Sequence, residues 1–195
     1  SKEFHQLIAL INYNLKAPVD YYPLNMSQIS SIKNFESLCN DMKNGKINNL
    51  IILGANPVYD SPVDFDFAES LKKVKNSVHL TNIIDETSKL CSWNIAMNHY
   101  FECWGDAMTY DGHVSIVQPQ IMPLFDSKSI IQVLSPIVHS KEQSSYDTVK
   151  NVWKSNSIKS GNCERAWDKG LQDGFYKKRI FTKVNVRRAS KISTG

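Results

Sequence analysis

No apolar run in the chain approaches the eighteen or so residues that a membrane helix needs, so no direct membrane span is expected. Its four cysteines, Cys39, Cys91, Cys103 and Cys163, form no C-x-x-C pair. That spacing excludes a local ferredoxin-type cluster signature and the usual zinc knuckles, which need closely spaced thiolates. Four thiols decide little about the redox compartment. There is no G-x-S-x-G, no Walker sequence, no Ser-His-Asp arrangement and no internal repeat, so spacing alone identifies no enzyme. The start, Ser1-Lys2-Glu3-Phe4-His5, has neither a signal-peptide plan nor an initiator Met, and the chain is expected to be a piece of a longer protein.

What is present suits a globular fold. A hydrophobic fraction of 42% and a charged fraction of 22% over 195 residues allow one domain with a real core, or one domain with an appendage. Much of the net charge of +4 sits at the end, in Lys177, Lys178, Arg179, Lys183, Arg187, Arg188 and Lys191. Such a tail can meet nucleic acid or anionic lipid. It has few aromatics for base stacking and no groove-reading motif, so residues 177–195 are expected to be a linker to a missing domain, without a nucleic-acid partner.

The chain is organised around residues 47–62, INNLIILGANPVYDSP. The apolar run from Leu50 to Leu53 is too short for a helix and predicts a strand buried on both faces, over 47–53. Gly54 permits a positive-φ turn, and Pro57 disfavours helix at Asn56, so a loop over 54–65 is expected. Strand ends of this kind are where open α/β sheets hold ligands. A plain strand exit is the simpler explanation.

Around that stretch, apolar spacing predicts helices over 4–15, 27–45 and 66–74. Ser31 or Asn34 is the candidate cap of the second, and Ile29, Ile32, Phe35, Leu38, Cys39 and Met42 should face inward. Short strands are expected at 19–24, 77–81 and 93–97, with a brief helix opening at Asp85-Glu86-Thr87-Ser88. The alternation predicts a doubly wound, largely parallel sheet. Asp111-Gly112 marks a turn between two extended pieces. Helices follow over 127–138, 146–153 and 161–175.

Several side chains invite a chemical role. His99 and Cys103 stand four apart, with Glu102 between them and Cys91 upstream, a pairing that could ligate metal on a helix. The spacing fits no common module, and a buried thiol beside a backbone-bonded histidine is the plainer expectation. Asp85, Glu86, Thr87 and Ser88 could meet a ligand or simply start a helix. Asp106 and Asp111 read as turn residues.

Taken together, Leu50-Ile-Ile-Leu-Gly-Ala-Asn-Pro-Val-Tyr, Asp85-Glu-Thr-Ser, His99-Tyr-Phe-Glu-Cys-Trp-Gly-Asp and Asp111-Gly-His-Val-Ser-Ile-Val-Gln-Pro-Gln-Ile-Met-Pro-Leu resemble the molybdopterin oxidoreductase family. The most similar branch is the large iron–sulfur subunit of bacterial alternative complex III, a quinol-oxidising membrane assembly. The resemblance runs over residues 4–175 and is most specific over 84–124. It implies a Rossmann-like domain whose strand-end loops hold part of a molybdopterin guanine dinucleotide. Gly54, Asn56 and Pro57 would occupy one such loop, and Asp85, Glu86 and Thr87 the next strand's end. That branch keeps the fold without the molybdenum cofactor, and iron–sulfur clusters in another domain carry its electrons. Cys103 departs from the small residue expected after His-Tyr-x-Glu, which argues against a family-wide metal role there.

The resemblance and the pattern together give the expectation tested below. It is an α/β, Rossmann-like domain over 1–125, a largely parallel sheet flanked by helices, with a C-terminal helical extension over 126–176. No cofactor, metal or redox centre is expected in this chain, and iron–sulfur clusters are expected in the rest of its parent. Partners would be the parent's other domains and other subunits of a membrane-bound respiratory complex, on the periplasmic face. A functional molybdopterin guanine dinucleotide-binding domain is the alternative, and a free-standing small-ligand enzyme a third.

Overall fold

The structure, a computed structural model, describes residues 2–23, 31–157, 163–176 and 181–184. It is mixed α/β, with a three-stranded parallel sheet flanked by helices, consistent with a Rossmann-like fold, and a helical C-terminal region. No helix among the described residues is long and apolar enough to cross a membrane.

Helix α1 spans Lys2–Leu15 and α2 Ile32–Lys43. Ser31 caps α2, its Oγ accepting from Asn34 N–H at 3.4 Å. The expected earlier start of α2, and Ile29, lie outside the described residues. Cys39 and Met42 are buried as the spacing predicts, but Ile32 is 64% exposed. It lines an open groove with Phe35, Ala55, Pro57 and Pro62 instead of entering the core. Residues 19–23 form no strand, and Leu24 lies outside the described residues. Pro18 and Pro23 lack the N–H donors that a ladder uses.

Strands β1 (Asn49–Leu53), β2 (Asn76–Thr81) and β3 (Trp93–Ala96) pair in parallel in that order. β1 is therefore an edge strand among the described residues. The expected burial on both faces fails there, with Ile52 enclosed and Ile51 39% exposed. The expected loop is partly helical, because α3 (Pro57–Asp60) and a 3-10 turn (Val63–Phe65) fill it. Pro57 begins α3, where its fixed φ is an asset and its missing N–H costs nothing. α4 (Phe67–Leu71) follows, shorter than the expected 66–74, with Asp66 turned to φ +47° before it. α5 (Glu86–Leu90) joins β2 to β3.

Cys39, Met42, Ile52, Phe67, Leu71 and Val74 form the first core, packed against Leu90 and Cys91 of the α5 end. Phe35 stacks on Phe67 with ring centroids 5.5 Å apart. Helices α2 to α5 thus share one face of the sheet. A doubly wound sheet would place helices on both. Successive right-handed crossovers in one direction, as the order β1-β2-β3 requires, stack their helices on a single side.

The second core is aromatic. β4 (Gly105–Met108) and β5 (Val114–Val117) form an antiparallel hairpin through the expected Asp111-Gly112 turn, and β6 (Phe175–Tyr176) joins β5. Helices α6 (Ile130–His139), α7 (Ser145–Ser157) and α8 (Cys163–Asp173) lie close to the expected spans, and residues 158–162 lie outside the described residues. Ile116, Val149, Trp153 and Trp167 are buried together, with Trp104 and Tyr146 at their edge. The tail beyond Tyr176 is described only at 181–184, so its role as a linker lies outside the described residues.

Gly54 sits at φ +64°, and a Cβ there would meet only Met97 Cε at 3.5 Å and Sδ at 3.6 Å. Space is adequate, so backbone conformation alone sets the cost of a side chain. Gly54→Ala should cost about 1–2 kcal/mol and Gly54→Val more, whereas Gly54→Asn should lose less because Asn tolerates this region. Urea denaturation of the three variants checks the order.

Candidate functional site

The three parallel strands end on one side, and the polar residues of their exits meet there. Gly54 N–H donates to Leu80 O at 2.8 Å, closing β1 onto β2. Its left-handed turn delivers the next carbonyl, Ala55 O, to within 2.9 Å of His79 Nε2. A carbonyl only accepts, so Nε2 carries the hydrogen. His79 is fully buried, and its Nδ1 lies 3.0 Å from Ser88 Oγ.

Asp85 caps α5 in a reciprocal box. Its Oδ1 accepts from Ser88 N–H at 2.8 Å and from Ser88 Oγ at 2.9 Å, and Ser88 Oγ accepts from Asp85 N–H at 3.2 Å. This is the helix-start chemistry expected of that sequence. Asp85 Oδ1 is also 3.6 Å from His79 Nδ1. Burial by itself would raise the Asp85 carboxyl, but the bonds from Ser88 and the nearness of His79 outweigh it and hold the group below its ordinary value.

Asn56 forms the second tie. Its Oδ1 accepts from Thr87 Oγ1 at 2.7 Å and Thr87 N–H at 3.3 Å, while its Nδ2 donates to Glu86 Oε2 at 2.8 Å. Thr87 Oγ1 in turn accepts from Val58 N–H at 3.1 Å. One carboxamide therefore fastens the start of α3 to the start of α5. The Asn56 bond also lowers the exposed Glu86 carboxyl.

The structure brings together Asn56, Glu86 and Thr87 directly. Gly54 and Pro57 shape the turn that carries Asn56, and Asp85 is held one residue away by Ser88. Ser88, expected to meet a ligand or start a helix, does the latter, and His79 was missed. The signal was present in SVHLT, where Val78 and Leu80 alternate with Ser77 and His79, so one face of β2 had to bury a polar ring. Asp85, Ser88 and His79 have the side chains of a hydrolytic triad, but Ser88 is 2% exposed and His79 not at all. No substrate reaches that hydroxyl, and the cluster works as a buried tie.

The other candidates stand apart. His99 and Cys103 lie on a turn rather than a helix, where Phe101 N–H donates to His99 Nδ1 at 3.3 Å and Cys103 Sγ meets His99 O at 3.7 Å. The histidine is backbone-bonded as expected, but the Cys103 thiol is half-buried rather than buried, because it sits on a turn outside both cores. Asp111 is a turn residue as expected, its Oδ2 3.0 Å from His113 Nδ1. Asp106 is not, because it stands in β4 opposite Ile116. Among the described residues, no three His, Cys, Asp or Glu side chains converge so as to hold a metal ion.

Two outcomes follow from this geometry. Asn56→Ala should destabilise the ligand-free chain by about 1–3 kcal/mol, since it strips acceptors from the buried Thr87. Asp85 titrates lower folded than unfolded, so its contribution is fully present above about pH 4 and is lost as pH falls through the lowered folded value. Asp85→Asn should flatten that acid limb, which denaturant melts between neutral and acid pH will read. Compared with known proteins, the chain matches no family model and no curated protein.

Proposed function

We propose that this chain is a structural α/β piece of a molybdopterin-oxidoreductase-type subunit, similar to the iron–sulfur subunit of a quinol-oxidising respiratory complex. In this reading the piece carries no redox centre, and iron–sulfur clusters elsewhere in the parent move the electrons. Its partners are the parent's other domains and the neighbouring subunits, on the periplasmic face of the membrane.

One observation carries the reading beyond the resemblance: the groups that a strand-end ligand would need are spent on one another. The Asn56 carboxamide, the Thr87 hydroxyl and the Asp85 carboxylate have protein partners within hydrogen-bond reach. A ligand must break those bonds before it gains its own. Residues 54–66 also include Asp60, Asp64 and Asp66 with no Lys or Arg. Each phosphate charge brought to 4 Å from one of them costs about 1 kcal/mol in water and more where water is excluded.

A functional molybdopterin guanine dinucleotide-binding domain is the second reading. It is favoured by the open groove beside the Gly54 turn, lined by Ile32, Phe35, Ala55, Pro57 and Pro62. Thermal melts with millimolar GDP test the second reading, and a positive shift is the outcome that separates the two. The structural reading expects an unchanged melting temperature. Binding at about 100 times the dissociation constant would add about 2.7 kcal/mol. A rise of several degrees that disappears in Asn56→Ala gives the case to the cofactor-binding reading. The purified chain should also show no visible absorption with stoichiometric iron.

A further inference from the structure

The parallel sheet has two faces of opposite character. Toward α2 to α5 it presents Leu50, Ile52, Ser77, His79 and Asn94. The outer face opens on a polar row, where Asn76 Nδ2 donates to Asn49 Oδ1 at 2.8 Å, and is apolar in the two that follow: Ile51, Val78 and Trp93 align in one, and Leu53, Leu80 and Ile95 in the next. Leu80 is fully buried, but Ile51 is 39% and Trp93 69% exposed. Parallel sheets are normally covered on both faces, and this one lacks part of its second layer.

Helix α1 has the complementary deficit. Leu7, Ile8, Ile11 and Leu15 form one stripe along it, each between 40% and 74% exposed. No α1 residue joins either core. A lone helix of 14 residues is marginal in water and draws its stability from packing an apolar face. Among the described residues, the chain thus holds a sheet face short of a helix and a helix short of a surface, and neither covers the other.

The geometry points to a two-fold dimer in which α1 of each copy lies on the outer sheet face of its partner. Both halves of the contact are present in one chain, so a reciprocal exchange closes on itself with no further component. At about 21 Å, α1 matches the length of a five-residue strand with its flanks. Two reciprocal contacts remove on the order of 1,200 Å² from water, the lower end of the range for specific interfaces. The inference does not rest on the functional reading above, because the nucleotide melt and the association state are separate measurements.

Sedimentation of the full chain over a concentration series tests it. The expected result is twice the chain mass at micromolar concentration, falling to the chain mass on dilution. Ile8→Glu with Ile11→Glu should give a monomer, and so should Trp93→Glu. Near-ultraviolet circular dichroism, which reads the aromatic core, should be unchanged in the Ile8→Glu with Ile11→Glu variant, since no α1 residue joins that core, while far-ultraviolet helicity should fall by no more than the undocked α1. Mixing the two variants should restore association more weakly than wild type, because one of the two contacts is intact in the mixed pair. If Trp93→Glu unfolds the chain, Ile51→Lys replaces it. A wild type that stays monomeric overturns the proposal. So does a dimer that survives either variant, which would mean helix-to-helix pairing or another surface, and so does a mixture that fails to associate.

Discussion

A polar ring enclosed in a strand must find hydrogen-bond partners, because an unpaired buried polar group costs about 2–7 kcal/mol. His79 meets that demand with two neighbours, and each fixes a segment. The hydrogen on Nε2 needs an acceptor, and the peptide after Ala55 turns its carbonyl inward to supply it. Gly54 stands at φ +64° at this exit, a conformation that a glycine adopts without strain, and Ala55 O follows it into the contact. Nδ1 lies 3.0 Å from the Ser88 hydroxyl, at the start of α5. Asn56 then bridges the two starts that His79 has positioned. The arrangement at the carboxyl ends of β1 and β2 follows from burying that one ring.

Much of this was legible in the sequence. The Leu50–Leu53 run, the Gly54 turn, the Asp85-Glu86-Thr87-Ser88 helix start and the Asp111-Gly112 hairpin all depend on local chemistry, and all stand where that chemistry placed them. What failed depended on tertiary context. Ile51 and Ile52 have the same propensity, and only strand order tells that β1 lies at an edge. Pro57 forbids a preceding helix yet suits the first residue of a new one, so the proline alone could not distinguish a loop from α3. The candidate site was half legible: the residues Asn56, Glu86 and Thr87 could be named, but their pairing with one another needed coordinates.

That pairing changes what the strand ends mean chemically. Carboxylates and amides at the exits of parallel strands are poised for a ligand only while their bonds are uncommitted. Here the same groups close the sheet's end, so stability and ligand recognition compete for one set of atoms. A binding site can be silenced in this way without altering the fold around it.

The two apolar cores are also separate in the chain. The first draws on side chains from Phe35 to Cys91 and the second on side chains from Trp104 to Leu171, with no interleaving. During synthesis at about 5–20 residues per second, the parallel sheet and its helices leave the ribosome seconds before the aromatic core is complete. Each of the three strands pairs with its neighbour in sequence, and of the later residues Lys128 joins the β3 edge, at Ala96, by a backbone bond. The nascent chain can therefore close its histidine tie while the remainder is still being translated.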